Sequence, residues 1–340
     1  MRRGPMVGVE ISPPLTARKE RDSSMVQIFL VGLGAGAAAA LLFASIATGS
    51  VLSLALFYVS PLPILIVALG WSHWAGLVAA LVAFAGLTAL FGNNFAIAFL
   101  LSIGLPAWWL SYLALLARPV ATPTGSVLEW YPVGRIVLWT AGLSALVVVA
   151  GLSLLGSTEE TIRGELRRSF EAVLRRQGSL EWGDSERSAV EALAAAAPPA
   201  AAISITLINL ISLWLAGRIV KVSNRLRRPW PDLSQMEFPP AAAVILGLLL
   251  AGILLAGLIG LVSAVFLASL CTAYVVLGFA VLHTITRGMN TRGLVLSAAY
   301  VAALLIWPVL LLIALLGVAD TVMGIRRRIW RTPGPPNRPT

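Results

Sequence analysis

The sequence predicts an all-α, polytopic transmembrane helix bundle of eight or nine spans carrying one amphipathic helical loop. Three observations predict it. Of the 340 residues, 58% are hydrophobic and only 12% charged, against about 25% charged in a soluble domain. Apolar runs of roughly 20 residues recur along the chain, each long enough to cross a bilayer as a helix. They are continuous, which argues against the alternating ten-residue segments of a membrane β-barrel. Finally, Arg218, Lys221, Arg225, Arg227 and Arg228 fall within eleven residues between two such runs. Short loops this rich in Lys and Arg stay on the cytoplasmic side, so this topology loop orients the other segments.

The net charge of +10 sits at helix ends, where cations set topology and meet anionic headgroups. The partners this implies are membrane lipids, not nucleic acid, with an unidentified protein partner left open. Lys19 and Lys221 are the only lysines among 25 basic residues, a composition suggesting a high-GC bacterial genome. Localisation in the bacterial cytoplasmic (inner) membrane as a multi-pass protein follows. The single cysteine, Cys271, lies in an apolar run and reads as a small buried side chain, excluding a disulfide within the chain and a Cys-based metal site.

Residues 1–24 are polar and interrupted by Pro5, Pro13 and Pro14. They read as a disordered cytoplasmic tail, or as an extension ahead of a start at Met25. The following run is too long for a signal peptide and lacks a clear cleavage site. The transmembrane domain is taken as 25–325. Its first span, 26–47, carries Gly32-x-x-x-Gly36, a face on which small residues let helices approach closely. Spans at 51–70 and 74–91 follow, the first containing Pro61-Leu62-Pro63, which frees carbonyls and kinks a helix. The turn between them, Trp71-Ser72-His73-Trp74, belongs at headgroup level. Gly92-Asn93-Asn94 is a tight turn into span 95–117. A loop with Pro119, Pro123 and Pro132 leads to span 133–155.

Residues 157–197 form the sizeable polar region. Ser157 and Glu160 fit a capping box. Ile162, Leu166, Phe170, Val173 and Leu174 then recur at helical spacing with charges between them, an amphipathic helix lying on the membrane or on the protein. Gly178 and Gly183 break it, and a second short helix is expected over 184–197. Eight acids against six bases suit the outer side. The sixth span, 199–217, has Asn209 near its middle. Residues 241–283 are apolar enough for two spans breaking near Gly257 and Gly260. The last span is 294–318, with Trp307-Pro308, and a basic, proline-rich tail at 326–340 is expected to be disordered.

Charge and length disagree over the end of the chain. Two full spans in 241–283 give nine crossings and put Arg326, Arg327 and Arg328 outside, against the charge rule. If one half of that stretch fails to cross, there are eight crossings, the tail is inside, and the turn with Arg287 and Arg292 is outside. Charge counting favours eight, the count adopted.

The sequence carries no phosphate-cradling GxxxxGK[ST] loop, no HExxH and no Cys/His cluster. No cofactor and no metal site is expected, and acid–base residues are too scarce to support an intramembrane enzyme. Mid-span carboxylates, the usual proton relays, are missing. Four residues are candidates for ligand binding. His283 and Arg287 are one helical turn apart and share a face able to meet a phosphate or a lipid headgroup, with Arg292 nearby; the plainer reading is a helix end snorkelling to the interface. Asn209 reads as an interhelical hydrogen bond or a ligand contact. His73 reads as a solvated interfacial histidine or a ligand contact. Trp230 and Asp232 are expected to lock the cytoplasmic loop onto Arg225 or Arg228.

The segments PLPILIVALGWSHWAG (61–76), LAGRIVKVSNRLRRPWPDL (215–233) and AVLHTITRGMNTRG (280–293) resemble the YybS-like family of bacterial inner-membrane proteins. That likeness brings no established activity and no functional residues. More distantly, residues 50–91 look like the substrate-binding subunits of energy-coupling-factor vitamin transporters. The span count and the charged loop at 157–197 depart from those subunits. The sequence therefore predicts a non-enzymatic membrane protein, transport-related, that binds or moves a small or lipid-like ligand. The alternative is a cell-envelope scaffold whose amphipathic helix docks partners.

Overall fold

The computed structural model describes residues 15–123, 125–176 and 183–331. The disorder expected for residues 1–14 and 332–340, and the break expected at Gly178, lie outside the described residues. Among the described residues the bundle is all-α apart from one small hairpin. Seven helical stretches are long and apolar enough to cross a membrane: Met25–Thr48, Val51–Gly70, His73–Phe91, Asn93–Leu115, Val133–Ser153, Asp184–Val222 and Leu258–Ile285. Large apolar side chains such as Leu41, Leu146, Leu248 and Leu304 are exposed, as lipid-facing surface requires.

Helix α1 (Leu15–Ala44) starts well before the expected span, so residues 15–24 are helical rather than a disordered tail. The reason is local: past Pro13-Pro14, which suit a helix start, the chain runs through good helix formers from Ala17 to Arg21. The second span bends between α2 (Val51–Val59) and α3 (Pro61–Gly70). Pro61 cannot donate to the Phe57 carbonyl, and the Ser60 hydroxyl donates to it instead at 2.6 Å. Helix α4 (His73–Phe91) is capped by Ser72, whose hydroxyl accepts from the Trp74 amide at 3.3 Å, and ends at Gly92 with φ +87°. The fourth span joins α5 (Asn93–Phe99) to α6 (Leu105–Leu115) through a π turn at Leu100–Gly104, just ahead of Pro106. Such a turn absorbs the amide that the proline lacks.

The loop expected after the fourth span contains a hairpin, β1 (Ala117–Thr122) and β2 (Gly125–Trp130), with Ala117 opposite Trp130 and Val120 opposite Val127. Its prolines concealed it. In a two-stranded ribbon both strands are edges, so Pro119 removes no necessary hydrogen bond. Arg118 and Glu129 face each other across the ribbon as a 2.7 Å ion pair.

After α7 (Val133–Ser153), the amphipathic α8 (Glu159–Arg176) is capped by Thr158 rather than by Ser157 and Glu160. The Thr161 amide donates to Thr158 Oγ1 at 3.3 Å and the Thr158 amide donates to Thr161 Oγ1 at 3.2 Å, a reciprocal box with threonine at both positions. Its Ile162 is buried and Leu166 packs beside it, against Val148 and Leu152 of α7 and Val265. The short helix expected at 184–197 and the span expected at 199–217 are one 39-residue helix, α9 (Asp184–Val222), with Pro198 and Pro199 inside it. Neighbouring helices make such prolines tolerable in a membrane bundle.

The apolar stretch 241–283 does break near Gly257, which has φ +80°, but unequally. Helix α10 (Pro240–Gly252) has 13 residues and α11 (Leu258–Ile285) has 28. The single last span is instead two shorter helices, α12 (Arg292–Leu305) and α13 (Trp307–Met323), parted by extended backbone at Ile306. Pro308, in the first turn of α13, has no amide to donate to the Leu304 carbonyl and its ring would crowd that carbonyl, which disfavours one continuous helix through this point. A final turn, α14 (Ile325–Arg331), follows Gly324, with φ +62°. Two close approaches hold the bundle. Gly32 and Gly36 of α1 sit on Ala75, Val78, Ala79 and Val82 of α4, and Gly278 of α11 sits on the Ile313 backbone of α13. Side chains at these glycines would collide, and small residues supply this backbone contact where lipid offers no hydrophobic drive.

The end-of-chain conflict dissolves in these contacts. Arg287 Nη2 donates to Ser234 Oγ at 2.8 Å, Arg326 Nη2 donates to the Met236 carbonyl at 2.7 Å, and Arg327 pairs with Glu237 at 2.9 Å. The topology loop, the turn bearing Arg287 and Arg292, and the segment bearing Arg326 to Arg328 therefore share one end of the bundle, here the basic end. The expectation that eight crossings would separate Arg287 from the tail is corrected. Helices α12 and α13, about 21 and 26 Å long against a hydrocarbon core of about 30 Å, leave that end and return to it. Helix α8 packs at the other end, against the C-terminal part of α7 and the N-terminal part of α11.

A cavity at the basic end

A cavity of about 590 Å³ opens among α7, α9, α11 and α12 beneath the loop 228–236. Its volume falls in the range of small-molecule sites. The walls are apolar: Leu69, Ile136, Val137, Leu210, Leu213, Trp214, Val276, Phe279 and Ala280. Helix α9 presents Leu210, Leu213, Trp214 and Gly217 at three- and four-residue steps, one face of a helix. Helix α11 does the same with Val276, Phe279, Ala280 and His283. Most of the polar lining is one linked group, Asp232, Ser234, His283, Arg287, Arg292 and Tyr300, and Arg228 lines the cavity as well.

Each has a distinct role. Arg228 is committed to structure: it donates to the Ala114 carbonyl at 3.2 Å and to the Tyr131 carbonyl at 2.9 Å, binding the loop to α6 and to the start of α7. Burial pushes its guanidinium below the ordinary value. Asp232 folds its own loop, accepting from the Ser234 hydroxyl at 2.7 Å and the Ser234 amide at 3.0 Å. Those bonds, chiefly the Ser234 hydroxyl, hold the Asp232 carboxyl below the usual carboxylate range, and Arg287 adds to them. The Asp232–Arg287 separation is 3.5 Å, with both side chains more than 40% exposed. His283 Nε2 is 2.9 Å from Tyr300 Oη, and Tyr300 stacks on Phe279 with ring centres 4.6 Å apart. Arg292 Nε is buried and has no hydrogen-bond partner among the described residues.

Of the sequence candidates, His283 and Arg287 both line this cavity, and Arg292 joins them. Asn209 does not line it; buried between helices, it donates to Ser144 Oγ at 3.3 Å, the interhelical bond that was its plainer reading. His73 is also elsewhere, 5.3 Å from the Tyr112 ring and 4.9 Å from Trp74. The topology loop is held differently from expectation. Trp230 lies under Lys221 and Arg218, at 5.0 and 5.4 Å, while Arg225 covers Trp71 at 4.3 Å. Lys221 and Arg218 are three residues apart on α9, so one indole returning from Pro229 meets both. Arg227 is exposed. Asp232 reaches Arg287, not Arg225 or Arg228. Tyr300 and Phe279 had no local signal: Tyr300 is the single aromatic of α12 and Phe279 one of three in α11, and only the reversal at 286–291 brings Tyr300 to His283.

A second cavity, of about 570 Å³, lies behind the loop between Pro132–Arg135 and Gln235–Pro240. Among the described residues no group of three His, Cys, Asp or Glu side chains could hold a metal ion.

Residues 37–321 match the model of a family described as a predicted membrane protein, DUF2232. No curated protein and no solved structure matches the chain significantly. The matched range runs from the Gly36 face of α1 to just past Asp320, so it contains the whole cavity and the helices that build it.

Proposed function

The chain belongs to the DUF2232 family of predicted membrane proteins, and we propose that it binds a lipid-like amphiphile in the cavity at its basic end, without catalysing a reaction. The observation that carries this reading is the composition of that cavity, mostly apolar walls with a linked cluster of polar groups around Arg287. Access supports it. Trp214 and Tyr300 both line the cavity and are 52% and 48% exposed, so it is bordered by surface that faces lipid. We place the protein in the bacterial inner membrane with the basic end cytoplasmic, as the charge rule requires. That setting agrees with the YybS-like resemblance.

The scaffold alternative loses its main support, because Ile162 and Leu166, the first half of the proposed docking stripe, are packed into the bundle. The test is native mass spectrometry of the detergent-purified protein with identification of bound lipid. Ala280→Phe fills the cavity from α11. A discrete amphiphile that copurifies with the natural protein and is lost from the Ala280→Phe variant supports the reading. Equal occupancy in both, or none in either, overturns it.

A further inference from the structure

Resting on that reading, we propose that the cavity selects amphiphiles with a phosphate-type anionic headgroup, and that Asp232 is a built-in competitor which the headgroup displaces from Arg287. The charged groups lining the cavity are lopsided: three arginines, Arg228, Arg287 and Arg292, against one carboxylate, Asp232. Arg228 is spoken for by two backbone carbonyls. The other two arginines are held less completely. Arg292 lines the cavity with its Nε buried and without a hydrogen-bond partner among the described residues, so it is the terminal nitrogens of its guanidinium that a ligand oxygen would meet. Arg287 holds Ser234 Oγ at 2.8 Å and Asp232 only at 3.5 Å, a half-exposed ion pair of the kind that contributes little.

A phosphate oxygen cluster suits this arrangement. It offers several acceptors to two guanidinium groups at once, and charge-assisted bonds of that type are the strong ones. The His283–Tyr300 pair borders the same spot and can supply a further donor. The apolar faces of α9 and α11 lead directly away from the charges, so hydrocarbon attached to the phosphate has a place to lie. The same geometry assigns Asp232 its role. Its carboxylate stands where an incoming anion must bind Arg287, and its bonds to Ser234 hold it in the loop after it lets go.

The experiment is a titration of the full-length protein in neutral maltoside detergent, read by native mass spectrometry, with three probes. Phosphatidic acid carries both parts, diacylglycerol the tails alone, and inorganic phosphate the head alone. Phosphatidic acid is expected to bind about tenfold tighter than diacylglycerol, as one or two charge-assisted hydrogen bonds imply. Arg287→Gln and Arg292→Gln should each remove most of that preference. Asp232→Asn should strengthen phosphatidic acid binding about threefold, a gain that misfolding cannot produce. Equal binding of phosphatidic acid and diacylglycerol, unmoved by the arginine variants, overturns the headgroup inference and leaves amphiphile binding standing. Binding of neither amphiphile overturns both. Inorganic phosphate binding as tightly as phosphatidic acid overturns the need for a tail.

Discussion

Asp320 and Arg326 form the most consequential ion pair among the described residues, and removing the carboxylate should show it. Both side chains are 7% exposed. Asp320 accepts from the Arg326 amide at 3.0 Å and from Arg326 Nε at 2.9 Å. The same guanidinium donates to the Ser234 and Met236 carbonyls at 2.6 and 2.7 Å. Asp320→Ala leaves a buried cation held by two neutral carbonyls. Breaking a buried pair from one side costs about 3–5 kcal/mol, a fall in Tm on the order of 10 °C. Glu129→Ala breaks the Arg118 pair on the hairpin, whose side chains are 77% and 53% exposed, and should cost below about 1 kcal/mol. The double variant Asp320→Ala/Arg326→Met removes the stranded charge and leaves two carbonyls and the residue-326 amide unmatched, all neutral groups, so it should be more stable than Asp320→Ala alone. Tryptophan-fluorescence melts of the purified protein measure all three. The reasoning fails if Asp320→Ala and Glu129→Ala lower Tm equally, or if the double variant is the least stable.

Three further outcomes are expected. In a Cys271→Ala background, single cysteines at Arg227, Met289 and Arg327 should react with an impermeant maleimide from the same side of the membrane, and one at Leu154 from the other; opposite labelling of Met289 and Arg227 would sink the shared basic end. Gly278→Leu should separate α11 from α13, because its side chain would run into the Ile313 backbone, and a strong drop in yield of folded protein on size-exclusion chromatography is the readout; Gly142→Leu, where nothing lies near, should be silent. Asn209→Leu should cost only about 0.6 kcal/mol, the usual worth of an interhelical bond in a membrane protein, and leave amphiphile binding unchanged; a loss of binding would return Asn209 to the site.

How far the sequence discloses this fold depends on the scale of the physics involved. Span positions are legible because crossing a bilayer imposes a length and a polarity that twenty residues record by themselves. The Gly32/Gly36 face is legible for a similar reason, since close packing needs small residues one turn apart. The Val120–Val127 hairpin is not, because its pairing spans a turn and its prolines imitate a loop. The fusion of 184–197 with the sixth span is hidden by Pro198-Pro199, which in isolation end a helix and in this bundle do not. The side on which Arg287 lies is hidden most deeply. It depends on the brevity of α12 and α13, and that depends on a single break at Ile306. His283 and Arg287 were legible as a pair from their spacing, whereas Tyr300, Arg228 and the loop that roofs them join the cavity only through tertiary contacts.

The unbroken course of α9 has a mechanical corollary. A 39-residue helix is a rod about 58 Å long, reaching from beside α8 to the cavity and the Trp230 clasp. Its proline pair is where the ladder of backbone bonds is thinnest, and is therefore its natural fulcrum. Gly217 lies eighteen residues beyond Pro199, a moment arm of about 27 Å. Tilting the rod by about five degrees about that fulcrum sweeps Gly217 through roughly 2.4 Å. That stroke exceeds the radius of a methyl group, so a small tilt of the segment beyond the prolines would change the width of the chamber that Leu213, Trp214 and Gly217 line.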